Sequence, residues 1–235
     1  MAVVNLAKIA KLLEPGINAI IAENYTDYPM MWSQVYSKNK TSRWREEDVA
    51  VSGLGLAQTV GEAEPVPYDE MAERWTATYI PETVKLGFQI TQEALEDNLY
   101  GNWARRGATS LGRSFRQTKE IKGAAVFNNG FSTFKTGDLK ALFASDHPIT
   151  GGSFSNLAST AAQLSEYSLE QAIMAVQSFV DDRGLKINAT VKKMLVPQAL
   201  QFVAERLLKS TGRVGTADND INTMEGKMPH VVWQY

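Results

Sequence analysis

Cysteine is absent from this 235-residue chain, which excludes disulfides, thiolate metal sites and cysteine nucleophiles. Histidine is nearly absent. His147 and His230 stand far apart, and no H-x-x-x-H or similar spacing offers a zinc site. No run of about 18 consecutive apolar residues reads as a membrane-spanning helix. The apolar stretch between Met1 and Lys11 lacks a small-residue cleavage site, so no secretory signal is expected. A basic excess is missing as well: 24 Lys and Arg face 26 Asp and Glu, for a formal charge of -2. Proteins whose main task is gripping nucleic-acid phosphates carry a basic excess or stripe, so that class is disfavoured.

The residues present describe a globular chain, 44% hydrophobic and 21% charged, long enough for one large domain or two small ones. Leu6, Ile9, Leu12 and Leu13 predict a short amphipathic helix over 5–13, and a second helix is expected from Ile17 to about Tyr25. The segment Asp27–Ser42 is apolar without a clear period. Between Arg43 and Gln89, Val49 and Val51 lead into a tip punctuated by glycine and proline, Gly53–Pro67. Alternating Thr, Val and aromatic residues then predict strands over 74–80 and 83–88. A long two-stranded arm is the economical reading. Such a ribbon is marginal alone in water, so it is expected to lie on a neighbour.

A long helix follows, with Thr91 as N-cap, Glu93, Glu96 and Asp97 in its first turns, and Leu95, Leu99, Trp103, Leu111, Phe115, Ile121 and Ala125 on one face. Arg113, Arg116, Lys119 and Lys122 gather toward its far end. After a turn-rich stretch, Ser168-Leu169-Glu170-Gln171 reads as a capping box opening a helix that Gly184 closes. Met194–Val196 reads as a buried strand. Pro197 then opens a helix whose stripe is Leu200, Val203, Ala204, Leu207 and Leu208. His230–Tyr235 reads as a last strand, and an apolar strand running off the C-terminus suggests a chain cut inside a domain.

Candidate chemistry is thin. Ser145-Asp146-His147 holds the residue types of a hydrolytic triad, but three adjacent residues rarely converge, and His147 is expected to be a loop histidine bonded locally. Glu46-Glu47-Asp48 and Asp181-Asp182 are expected to be solvated. Gly212–Asp220 lacks both the P-loop ending and the EF-hand glutamate. Trp44, Trp75 and Trp103 read as packing or interface anchors. No catalytic, cofactor-binding or metal-ligating residue is assigned.

Several segments together carry a resemblance: Gly87–Asn98, Phe127-Asn128-Asn129-Gly130-Phe131, Leu142–Pro148 (close to L-F-S-x-x-H-P), Leu195-Val196-Pro197, Ala204–Ser210 and Gly215–Asn222. The chain resembles the HK97-type major capsid proteins of tailed bacteriophages, especially the Mu-like major head subunit group. The resemblance implies an α+β capsid fold. Its parts would be an N-terminal arm (1–42), an extended hairpin or E-loop (43–88), a spine helix with peripheral domain (89–162) and an axial α/β domain (163–235), possible truncation falling in the last. It also implies pentamers and hexamers in an icosahedral shell around double-stranded DNA, a separate scaffolding protein, a portal, a decoration protein, no membrane and no cofactor. Trp32, Tyr36, Trp44, Glu46, Trp75, Tyr79, Lys85 and Arg213 are the subunit-interface candidates. An encapsulin-like compartment shell and a hydrolase using His147 are the alternatives.

Overall fold

A 29-residue helix, Tyr100–Asn128 (α2), spans about 43 Å at 1.5 Å per residue. The computed structural model in which it stands describes residues 18–25, 29–89, 100–158, 160–213 and 220–235. The expected helix at 5–13, the Thr91 cap with its acidic neighbours, and most of Gly215–Asn222 lie outside the described residues. The expected helix near Ile17–Tyr25 is present over 18–25.

Two compact units are distinguished, the described residues of Met1–Asn39 with Glu82–Ala124, and those of Lys40–Pro81 with Ala125–Tyr235. In the first, residues 18–25 and a short helix α1 (Trp32–Val35) accompany most of α2. The buried positions of α2 repeat every four residues: Ala104, Ala108, Gly112, Arg116, Glu120 and Ala124. That stripe differs from the expected one. Trp103 is 76% exposed and Ile121 54% exposed, because the chain packs where α2 is thin rather than where it is bulky. A Cβ on Gly112 would fall 2.8 Å from the Ile21 carbonyl oxygen, and one on Gly107 would fall 2.9 Å from the Phe88 ring. The gathered cations stop short of the last turn, where the helix dipole would favour them.

In the second unit, β1 (Glu46–Val51) pairs antiparallel with β2 (Glu73–Tyr79), Glu46 opposite Tyr79, with an irregularity between Val49 and Val51. The ribbon is the expected arm, but residues 83–88 form no strand; Pro81 interrupts the pattern and both ribbon positions are already filled by β1 and β2. A small hairpin, β3 (His147–Ile149) and β4 (Gly152–Phe154), stands in the turn-rich stretch. Helix α3 (Glu166–Gln177) is capped by Ser165, whose hydroxyl accepts the Ser168 N–H while Ser168 reaches back, so the box lies three residues before the expected one. Gly184 (φ 83°) turns the loop between Asp181 and Leu185, well past the end of α3.

Strand β5 (Met194–Pro197) leads through a 3₁₀ turn (Gln198–Leu200) into α4 (Gln201–Lys209) and pairs in parallel with β6 (His230–Trp233). The expected strands and the Ala204, Leu207, Leu208 face are all there. Leu169, Leu208, Met224 and Met228 form the buried cluster, with Ile173, Val191 and Met194 against it.

Candidate functional site

The surface carries the informative chemistry. Among the described residues only eight buried apolar side chains are larger than alanine, whereas 27 large apolar side chains are exposed. Ten of those lie between Val49 and Ile80, with Tyr68 95% exposed at the extreme. Scattered exposed leucines mean little, but ten large apolar side chains exposed along one ribbon mark a candidate interaction surface.

That ribbon is nonetheless firmly held at its root. Ser52 is buried; its N–H donates to the Ala72 carbonyl at 2.8 Å, and its hydroxyl accepts the Ala72 N–H at 2.9 Å. Arg183 donates from Nε to the Gly53 carbonyl at 3.1 Å and from Nη2 to the Glu70 carbonyl at 2.7 Å. The same Nη2 lies 3.3 Å from Asp69 Oδ1. Backbone N–H groups of Gly55 and Glu70, and then the Arg183 guanidinium, hold the Asp69 carboxyl below its ordinary range. Next door, Asp182 pairs with Arg74 at 3.0 Å and accepts from the Thr150 hydroxyl at 2.6 Å. Asp181 accepts the Arg183 and Leu185 N–H groups. The acidic pair expected to be solvated therefore anchors the ribbon, a role no local pattern reveals.

In the first unit Glu120 makes the corresponding lock. Its carboxylate accepts the Met31 N–H at 3.0 Å and the Trp32 N–H at 3.1 Å, capping α1 from 89 residues away, and Arg116 Nε stands 4.0 Å from it. Both side chains are buried.

The interface candidates divide accordingly. Trp32 is half-buried beside this lock, its indole N–H enclosed without a hydrogen-bond partner among the described residues. Tyr36 donates to the Gly123 carbonyl at 2.9 Å, and burial raises its pKa. Trp75 lies against Gly137, where a Cβ would meet its ring at 2.9 Å. Arg213 joins Glu166 at 2.8 Å, which raises its pKa. Trp44 (72% exposed), Tyr79 and Lys85 face solvent, and Glu46 is bonded to Thr41. Trp32, Tyr36 and Lys85 belong to the first unit and the other five to the second.

His147 lies on β3 rather than in a loop, and it is bonded locally as expected: Nδ1 meets Asp138 Oδ2 at 2.6 Å. Its Nε2 is buried with no hydrogen-bond partner among the described residues. Asp146 pairs with Lys140 instead. Burial opposes ionisation of Asp138, yet hydrogen bonds from Thr136, His147 and the Lys140 N–H outweigh it and lower the carboxyl pKa. The imidazole offers no open nitrogen to a substrate, and the triad types do not assemble.

A family profile described as phage capsid protein matches residues 76–232, about two thirds of the chain. The chain belongs to that family. No curated protein matches it. Solved structures agree on the fold of this capsid protein. The capsid of bacteriophage JBD30 decorated with minor capsid protein trimers is similar at a TM-score of 0.66 and 12% identity, over 90% of this chain and 94% of that one. The JBD30 procapsid is similar at 0.62 and 14%, over 96% and 99%. A further structure of the JBD30 capsid gives 0.68 and 12%, over 88% and 92%. The fold is thus an α+β capsid fold.

Proposed function

We propose that this capsid protein is the major head subunit of a tailed phage or prophage, of HK97-like architecture and of the Mu-like kind. The observation that carries the reading is the apolar exposure of the ribbon, ten large side chains between Val49 and Ile80 held on a root that is well bonded. A lone monomer gains nothing from holding an apolar ribbon rigidly in water. A lattice in which each subunit covers its neighbours turns that exposure into distributed binding energy, and repeated heterologous contacts close into rings and a shell. In this reading residues 1–42 are the arm, 43–88 the E-loop, 89–162 the spine and peripheral domain, and 163–235 the axial domain. Subunits gather as pentamers and hexamers into an icosahedral virion shell in the host cytoplasm, around double-stranded DNA touched non-specifically. A separate scaffolding protein, a portal and a decoration protein are the partners. The solved JBD30 capsid decorated with minor capsid protein trimers supports a decorated shell. The work is assembly, without catalytic turnover.

Negative-stain electron microscopy of the chain co-expressed with its scaffold tests this. Closed polyhedra, or rings of five and six, are expected, with nucleic acid rather than cargo enzyme in filled particles. A homogeneous monomer across salt conditions would sink the reading, and co-purified cargo enzyme would move it to an encapsulin-like compartment.

A further inference from the structure

The chain as a whole has no basic excess, yet its cations are unevenly spread. Helix α2 holds six arginines and lysines against one acid, Glu120, which is buried. Toward its C-terminal end these cations are engaged. Arg116 is buried beside Glu120, Lys119 Nζ lies 5.2 Å from the centre of the Tyr25 ring, and Lys122 pairs with Glu82. Toward its N-terminal end the situation differs. Arg105 and Arg106 are exposed, and neither forms an ion pair among the described residues.

This end of α2 buries Ala104, Ala108 and Gly112. At 3.6 residues per turn, Trp103, Arg106, Ser110 and Arg113 fall on the opposite face, and all four are exposed, Trp103 at 76%. Arg105 is exposed one step round the helix. The face runs about 15 Å at 1.5 Å per residue. It offers guanidinium forks, an indole N–H and a hydroxyl, and no carboxylate. A face of cations and donors without an acid is complementary to a polyanion rather than to a mixed protein surface. Duplex DNA carries one negative charge per roughly 1.7 Å of its axis, and arginine and serine are common donors to its phosphates. The flat ring of Trp103 can lie against the sugars between them.

We propose that this face of α2, through Trp103, Arg105 and Arg106, contacts the phosphate backbone of the enclosed double-stranded DNA. This rests on the shell reading and adds to it the surface that lies against the nucleic acid. Contacts to phosphate and sugar carry no sequence information, which suits a shell that must accept every part of a genome. Few contacts per subunit, repeated over a shell, make a salt-sensitive hold without a basic excess in the chain.

The test irradiates DNA-filled particles in the ultraviolet, digests them with nuclease and protease, and maps the adducts by mass spectrometry. Nucleotide adducts on peptides from residues 100–113 are expected, with none in empty shells. Independently, the full chain before assembly is titrated with a short mixed-sequence duplex at about 50 and 200 mM salt. Each phosphate contact accounts for roughly 3.5-fold of the affinity lost over that rise. Arg105→Gln combined with Arg106→Gln should therefore make the loss about tenfold smaller than in the parent. Adducts that all lie outside 100–113, or a double variant with the parent's salt dependence, overturn the DNA contact and leave the shell reading standing. A double variant that no longer assembles, with no adduct on α2 in the parent, also overturns it and assigns the face to contact between copies. If the unaltered chain forms no shell, the shell reading falls and the contact within it falls too.

Discussion

Replacing Glu120 by alanine separates two accounts of what holds α2 to the chain before it. The carboxylate accepts the Met31 and Trp32 N–H groups at 3.0 and 3.1 Å and lies beside the buried Arg116. Hydrogen bonds to a charged acceptor contribute about 1.5–3 kcal/mol each, and alanine would leave two amide donors and a guanidinium without that acceptor. Removing one member of a buried pair costs about 3–5 kcal/mol, so Glu120→Ala should lose a large share of a typical domain's stability. Its neighbour Ile121 is the control. Hydropathy alone makes Ile121 the core residue, yet it is 54% exposed, and Ile121→Ala should stay within about 0.5 kcal/mol of the parent. Urea melts of unassembled subunit, followed by circular dichroism, give the two values. Hydrogen exchange at the Met31 and Trp32 amides localises the loss. Equal melts for the two variants, or unchanged exchange at both amides in Glu120→Ala, would refute the capping account.

Three further outcomes are expected. Arg183→Lys keeps the charge but reduces a fork spanning Gly53 and Glu70 to one point donor, so amides near 52–55 and 69–72 should exchange faster while the Leu169–Met228 cluster stays protected. Gly112→Ala should destabilise by about 1–3 kcal/mol in a thermal melt, because the clash with the Ile21 carbonyl outweighs the gain of about 1 kcal/mol in helix propensity. Asp138 has a lowered carboxyl pKa when folded, so the unfolded chain binds more protons there as acid is added. Its stabilisation is present above the unfolded carboxylate pKa and fades as pH falls through the folded one. Asp138→Asn should therefore flatten the acid limb of a stability–pH profile, and an unchanged acid limb would count against the His147–Asp138 bond.

What could be read from the sequence was what repeats locally. The β1–β2 ribbon, the β5 and β6 strands and the α4 stripe follow from period-two and period-3.6 patterns, and the inward faces of β5, β6 and α4 are covered within the chain. On α2 the same reasoning failed, since large apolar residues were taken to face inward. There the inward positions are small or charged, and Trp103 and Ile121 point away. A rule that equates bulk with burial holds only when a subunit must cover itself. Ser165 and Ser168 both begin plausible capping patterns three residues apart, and only backbone geometry selects the first. Arg183, Asp182 and Glu120 left no local trace, because their partners lie far away along the chain and are mostly backbone atoms.

The distance between Arg183 and Gly53 also sets an order of events during synthesis. The arginine that fastens the ribbon is translated 130 residues after the glycine it holds. At about 5–20 residues per second, each ribbon waits roughly 7–26 s on the ribosome unfastened. Neighbouring chains on one messenger then present naked strand edges to each other, the usual template for misassembly. Eight carboxylates between Glu46 and Glu73, against the single Arg74 on β2, make such ribbons repel their own kind until the rest of the subunit has emerged.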